Sequence, residues 1–220
     1  MMEDMKPLIL AGGKSTRMGS PKHLLPMPDG RPLYQHQIDL LHRSCLEAET
    51  IYISLAQDSE LDDFLRQPSQ QPRRITPEGP KVEIIIDKET SQSEESKGPA
   101  SGILAAFQHD PEATWLVVAC DYPCITTSAL DQLKSEYKEP VTCFKNLEGF
   151  CEPLLGIWSP EAIRHLKRNC EKGKLSPSKA VKELNGLVIL PDGDVDVVLK
   201  NVNTKEEWES ALQLLSDSSQ

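Results

Sequence analysis

Positive charge is what this sequence has least to spare. Lys and Arg number 24 against 34 Asp and Glu, a formal net charge of −10 at pH 7. A protein that holds a nucleic-acid backbone needs a basic surface, so no nucleic-acid partner is expected, whereas a nucleotide needs only a few local cations. Long apolar runs are missing too. Stretches such as Trp115 to Cys120 fall far short of the roughly 20 residues that span a bilayer, so no membrane partner is expected. Met1 to Lys6 carries acids and no hydrophobic signal region, and the six cysteines then read as free thiols of a cytoplasmic protein. Cys120 and Cys124 lack a second ligand pair at zinc-site spacing and are expected to be structural. His23, His36, His42, His109 and His165 show no metal spacing and read as surface or interface residues. Nothing resembles a Ser/His/Asp or Cys/His nucleophile arrangement. Repeats are absent, and no linker is long enough to separate domains, so residues 1–220 are expected to form a single domain with a frayed tail from about 216.

What is present is a 38% hydrophobic content, enough to bury a core, arranged as alternating strand and helix patterns. Strands are expected at Pro7–Leu10, Ile51–Leu55, Val82–Ile86, Trp115–Ala119, Val141–Phe144, Glu152–Trp158, Leu187–Leu190 and Val195–Val198. Helices are expected from Leu33 to Leu41, Ser59 to Arg66, Gly98-Pro99 to Gln108 and Ser128 to Tyr137. Ser159-Pro160 and Ser176-Pro177 carry helix-start signals, and Thr204 with Glu207 forms a capping box before the last helix. Segments 67–81 and 88–97 read as polar loops. The alternation implies an α/β fold with a mostly parallel sheet covered on both faces, and such sheets bind ligands beyond their C-terminal strand ends. The loop after Leu10, Asp87 and Asp121 all fall at such ends.

The loop reads Leu10-Ala11-Gly12-Gly13-Lys14-Ser15-Thr16-Arg17-Met18-Gly19-Ser20-Pro21-Lys22. Paired glycines let a backbone curl and present N–H groups to phosphate oxygens. Arg17 and Lys22 supply the opposing charge, one as a planar fork and one as a point charge. Gly13-Lys14-Ser15-Thr16 imitates the end of a P-loop, but position 8 is Leu where that motif needs Gly; G-x-G-x-x-G is absent as well.

The pattern L-A-G-G-x-S-x-R-M-G-x-x-K resembles the signature of the molybdenum cofactor guanylyltransferase family, with its MobA-like NTP transferase domain. Gly98-Pro99-Ala100-Ser101-Gly102-Ile103, Cys120-Asp121-Tyr122-Pro123, Glu152-Pro153-Leu154 and Asn201-Val202-Asn203-Thr204 resemble further segments of the family, in family order. The resemblance implies a Rossmann-like three-layer nucleotidyltransferase fold with a mixed, mostly parallel sheet. It implies an enzyme that moves GMP from GTP onto a phosphate-bearing acceptor of the molybdopterin type and releases pyrophosphate, with Mg2+ as cofactor. Leu10, Ala11, Gly12, Gly13, Lys22, Asp87, Gly98 and Asp121 are then expected around the nucleotide. Arg17, Lys22 and Asp121 are the expected catalytic residues, with Asp121 the metal ligand. Asn201 and Asn203 stand equally well as acceptor or second metal contacts or as an ordinary turn.

Three positions depart from the family pattern. Ile53-Ser54-Leu55-Ala56-Gln57 lacks an Asn, Gly173-Lys174-Leu175-Ser176 lacks an Arg, and Asn203-Thr204 is followed by Lys205 in place of Pro. The first two bear on base and acceptor, not on the reaction class. Cytidylyl transfer, transfer to a sugar phosphate, and a non-catalytic nucleotide-binding role are the alternatives.

Overall fold

The computed structural model describes residues 5–12, 18–66, 74–75, 78–87 and 98–217. Seven strands form one sheet: β1 (Met5–Leu10), β2 (Thr50–Ala56), β3 (Lys81–Asp87), β4 (Thr114–Ala119), β5 (Val141–Lys145), β6 (Cys151–Trp158) and β7 (Leu187–Ile189), in the order β3-β2-β1-β4-β6-β5-β7. β1 pairs parallel with β2 and β4, β2 with β3, and β5 with β7; β6 alone runs against its neighbours. The expected mixed, mostly parallel sheet is present. Central strands are apolar along their whole length because both faces are covered: Leu8, Ile9, Trp115, Leu116 and Val117 are fully buried.

The helices are α1 (Leu33–Ser44), α2 (Asp63–Arg66), α3 (Pro99–His109), α4 (Thr127–Ser135), α5 (Pro160–Glu171), α6 (Pro177–Glu183), α7 (Val195–Val198) and α8 (Lys205–Asp217). α1 packs with α4, while α3 packs with α5, and α5 with α6, so the sheet is covered in two groups. α5 shows how sequence produces one such element. Ser159 accepts from the Ala162 amide at 3.2 Å, Pro160 supplies a first turn that needs no N–H, and Ala162, Ile163, Leu166 and Cys170 recur on the buried face. The expected capping box is present at α8. The Glu207 amide donates to Thr204 Oγ1 at 3.2 Å and Glu207 Oε2 accepts from the Thr204 amide at 3.0 Å.

A second, smaller apolar cluster stands apart from the main core. Met18, Leu25, Met27, Leu33, Cys124, Val202, Trp208 and Ala211 form it. It ties the segments around β1 and after β4 to α8.

Three expectations are corrected. Val195–Val198 is a helical turn, not a strand: Asp194 accepts from the amides of Asp196 and Val197 and caps it, which outweighs the β-branched composition. The helix expected from Ser59 starts only at Asp63, because Asp62 is its cap and its Oδ1 accepts from the Leu65 amide at 2.9 Å. His23 is 2% exposed, not a surface residue; its Nε2 lies 2.9 Å from the Glu60 carbonyl oxygen, and burial holds its pKa below the usual value. The expected loops at 67–81 and 88–97 fall largely or wholly outside the described residues. Among the described residues no helix is long and apolar enough to cross a membrane.

Candidate active site

The parallel strands β1 to β4 all end on one rim, and β1 sets its centre. The Ala11 amide donates to the Ser54 carbonyl at 2.9 Å, and the Cys120 amide donates to the Leu10 carbonyl at 3.0 Å. These bonds lock the exit of β1 between its neighbours, with Leu10 and Ala11 buried and Gly12 the first exposed residue of the loop. Helix α3 presses close from above. A Cβ on Gly102 would lie 2.8 Å from Leu10 Cδ2 and 3.1 Å from Ser54 Oγ, so only glycine permits this approach. Gly98, exposed at the N-terminus of α3, has φ +57°, the left-handed side that glycine enters without strain. Asp87 is 8% exposed at the end of β3, level with Ala56 of β2. Gly13 and Arg17 lie outside the described residues.

The charged part of the rim lies at β4. Asp121 follows the last buried residues of the strand. It does not cap α4, since Thr126 does so by accepting from the Ala129 amide at 3.1 Å. Its Oδ2 accepts from Asn201 Nδ2 at 3.1 Å and lies 3.6 Å from Lys22 Nζ. Lys22 Nζ donates to Asn203 Oδ1 at 2.9 Å, and Asn203 Nδ2 donates to Asn201 Oδ1 at 2.5 Å. The Val202 amide donates to the Asp121 main-chain carbonyl at 2.9 Å, fastening the segment that carries both asparagines to the end of β4. Lys22, Asp121, Asn201 and Asn203 are thus one polar group, although up to 181 positions separate them in sequence. Among the described residues the buried Asp121 Oδ1 has no hydrogen-bond partner.

The structure does not bring Asp87 into this group. Three strand spacings separate β3 from β4, roughly 14 Å. Asp87 belongs to the other end of the same rim.

Two neighbours escape sequence reasoning as site residues, Tyr122 and Glu152. Because β6 runs antiparallel to β4, its start reaches the rim where β4 ends; the register Val118↔Leu155 carried onward brings Asp121 level with Glu152. The buried Tyr122 hydroxyl donates to Glu152 Oε2 at 2.6 Å. Burial, and then the nearby Asp121 charge, push the Glu152 carboxyl above its usual pKa, against the lowering effect of the Tyr122 bond. The segment Glu152-Pro153-Leu154 is the one signal that points there, and it reads equally as a strand start. Among the described residues no group of three or more His, Cys, Asp or Glu side chains is placed to hold a metal ion.

A seven-stranded mixed sheet of this order, with a glycine at the exit of β1 and an aspartate just beyond β4, has the Rossmann-like fold of solved nucleotidyltransferase structures. The chain belongs to the MobA-like NTP transferase domain family, whose profile matches residues 7–186. It is 31% identical over 207 residues to a molybdenum cofactor biosynthesis bifunctional protein of Synechocystis, covering 91% of this chain and 52% of that one, so it spans about half the length of that relative. It is 28% identical to a probable molybdenum cofactor guanylyltransferase of Flavobacterium johnsoniae, covering 94% of this chain and 95% of the other. The crystal structure of molybdopterin-guanine dinucleotide biosynthesis protein A from Archaeoglobus fulgidus superposes with TM-score 0.66 at 22% identity, over 96% of this chain and 99% of that one, a likeness of fold.

Proposed function

We propose that the chain, folded as one nucleotidyltransferase unit, moves GMP from GTP onto the terminal phosphate of a molybdopterin-type acceptor and releases pyrophosphate. The acceptor phosphate oxygen attacks the α-phosphorus, and the bond to the β-phosphate oxygen breaks. Such chemistry asks the protein for alignment and charge neutralisation more than for covalent participation. The observation that carries the reading is the meeting of Lys22, Asp121, Asn201 and Asn203 at the sheet rim, in a chain of this family.

In this reading Leu10, Ala11 and Gly12 at the exit of β1, Asp87 and Gly98 contact the nucleoside and Lys22 neutralises its phosphates; the family signature extends the nucleotide role to Gly13 and the catalytic role to Arg17. The acceptor lies beyond Asp121, toward the β6 side. The residues fit Mg2+: it takes oxygen ligands and keeps several waters, so one or two carboxylates suffice, and the buried, unpartnered Asp121 Oδ1 is a donor of that kind. Asp121 would hold the ion, with the Asn201 and Asn203 amide group beside it. When bound, Mg2+ neutralises phosphate charge and fixes phosphate geometry. Lys22 meanwhile keeps positive charge next to Asp121 and anchors Asn203.

The test is pyrophosphate release by the purified protein with Mg2+, molybdopterin or its molybdenum form, and GTP, CTP or ATP in parallel. Release with GTP, lost in Asp121→Asn, is the expected result. Release with CTP instead, or only with a sugar phosphate acceptor, would replace the guanylyl reading. Nucleotide binding without release in any mixture would leave a binding protein.

A further inference from the structure

The segment that carries Asn201 and Asn203 has no helix or strand of its own, so its shape is set by what fastens it. Its middle is held by the Val202 amide on the Asp121 carbonyl and by the Val202 side chain, fully buried in the cluster that contains Trp208. Its far end meets Glu207 of α8. A capping box asks the glutamate for one bond, to the amide of the cap residue. Glu207 Oε2 accepts that bond from the Thr204 amide at 3.0 Å, and it accepts a second, shorter one from the Asn203 amide at 2.6 Å. The second bond does nothing for the helix, because Asn203 lies before the cap and is not among the amides a helix start leaves unpaired. It fixes the main chain of a residue whose side chain joins Lys22 Nζ to Asn201 Oδ1. Asn203 is itself exposed, so hydrogen bonds hold it in place and packing does not.

We propose that Glu207 is a positioning residue of the site: it holds the Asn203 main chain where the Asn203 side chain can accept from Lys22 and orient Asn201 against Asp121 Oδ2. Each link is a direct hydrogen bond. Glu207 accepts from the Asn203 amide, Asn203 Nδ2 donates to Asn201 Oδ1, and Asn201 Nδ2 donates to Asp121 Oδ2. A carboxylate accepts such amide protons more strongly than a neutral group does. The start of α8 thereby serves two ends at once, its own cap and the geometry around Asp121. The inference rests on the proposed nucleotidyl transfer only for what the site is used for; the bonds themselves stand on the geometry.

The test compares wild type, Glu207→Ala, Glu207→Gln and Thr204→Ala. Each is titrated with GTP in the presence and absence of Mg2+, assayed for kcat and KM of pyrophosphate release, and melted. The side-chain amide signals of Asn201 and Asn203 are followed by NMR in the free protein. Thr204→Ala removes the other half of the box, the bond from the Glu207 amide to Thr204 Oγ1, and leaves the Asn203 bond in place. Both alanine variants are expected to melt a few degrees lower, as the loss of a helix cap does. Only Glu207→Ala is expected to lose about 10-fold in the Mg2+-dependent gain of GTP affinity and in kcat, the worth of one hydrogen bond to a charged group. Glu207→Gln keeps an acceptor oxygen at the same reach and is expected to stay within about 2-fold of wild type. In Glu207→Ala the two asparagine amide signals are expected to move to the position of a solvated amide, and in Thr204→Ala to stay where wild type has them. An equal loss in Thr204→Ala would overturn the proposal, because a loosened helix start would then explain both. A full Mg2+-dependent gain in Glu207→Ala would overturn it as well, and so would a Glu207→Gln variant as weak as the alanine one. Should Glu207→Ala fail to fold, Glu207→Asp, which keeps the charge and shortens the reach by one methylene, decides by the same comparison. If wild type releases no pyrophosphate with any nucleotide, the transfer reading falls, while the amide signals of the free protein still decide the positioning reading.

Discussion

The two ends of the rim are built differently. Around β1, β2 and β3 it consists mainly of main chain and small residues: the β1 exit locked to Ser54 and Cys120, an exposed Gly12, Gly98 at φ +57°, and one buried carboxylate, Asp87. Around β4 and β6 it consists of side chains: Lys22, Asp121, Tyr122, Glu152, Asn201 and Asn203, each bonded to another of the set. A flat nucleoside suits the first surface, which offers close approach. Phosphates, metal and acceptor suit the second, which offers charge and oxygen donors. Strand direction creates the contrast, since β6 alone starts at this rim and so delivers a carboxylate from its beginning.

That contrast breaks most readily at its two aspartates. Asp121→Asn is expected to lower the rate of pyrophosphate release on the order of 100- to 1000-fold, the scale of losing a preorganised electrostatic group, while Asp87→Asn acts chiefly on KM and on discrimination between bases. Steady-state kinetics on both variants decide it; equal losses in kcat would mean that the rim is not divided. The next effect concerns the small apolar cluster under the side-chain end. Trp208→Ala is expected to cost about 3 kcal/mol of stability by urea unfolding and to weaken Mg2+-dependent binding, because Trp208 packs with Val202 between the two asparagines. Loss of stability with unchanged binding would detach that cluster from the site.

On the main-chain end, Gly102→Ala must push Leu10 Cδ2 or move α3. The expected cost is about 1–3 kcal/mol, read by thermal melting together with weaker GTP binding in the absence of Mg2+. The smallest effect is that of pH. The folded-state pKa values of His23 and His36 lie below the ordinary 6.5, chiefly through burial. Below 6.5 the unfolded chain therefore binds more protons, so the stability these residues contribute is present above that value and is lost as pH falls toward their folded values. The melting temperature is expected to drop between about pH 7 and pH 5.5, and by less in His23→Gln. An unchanged slope in that variant would clear His23 of any role in acid sensitivity.

Much of this layout is legible in the sequence because of a few strong local signals. The apolar runs of β1, β2 and β4 mark strands buried on both faces, while the serine-proline starts of α5 and α6 and the Thr204/Glu207 box satisfy the backbone locally, and the structure keeps them all. Strand ends at Leu10, Asp87 and Asp121 follow from the alternation of elements alone. Val195–Val198 misleads because β-branched residues speak for a strand while the deciding bond, from Asp194, uses a side chain just outside the run. His23 looks like a surface residue because its partner is a main-chain carbonyl 37 positions away. Glu152 stays hidden because nothing in a sequence tells the direction of β6, and Asn201 and Asn203 are even with a plain turn until Lys22 and Asp121 stand beside them.

The family match ends at residue 186, yet Asn201 and Asn203 come later, and Val202 between them is fully buried. A ribosome making this chain releases every strand of the sheet before it releases the residues that complete the group around Asp121. The β1–β3 end of the rim can assemble while synthesis is still in progress, but the Asp121 end waits for the segment just before the last helix. A chain nicked or terminated shortly after β7 would therefore keep every strand of its sheet while lacking the residues that complete the Asp121 end.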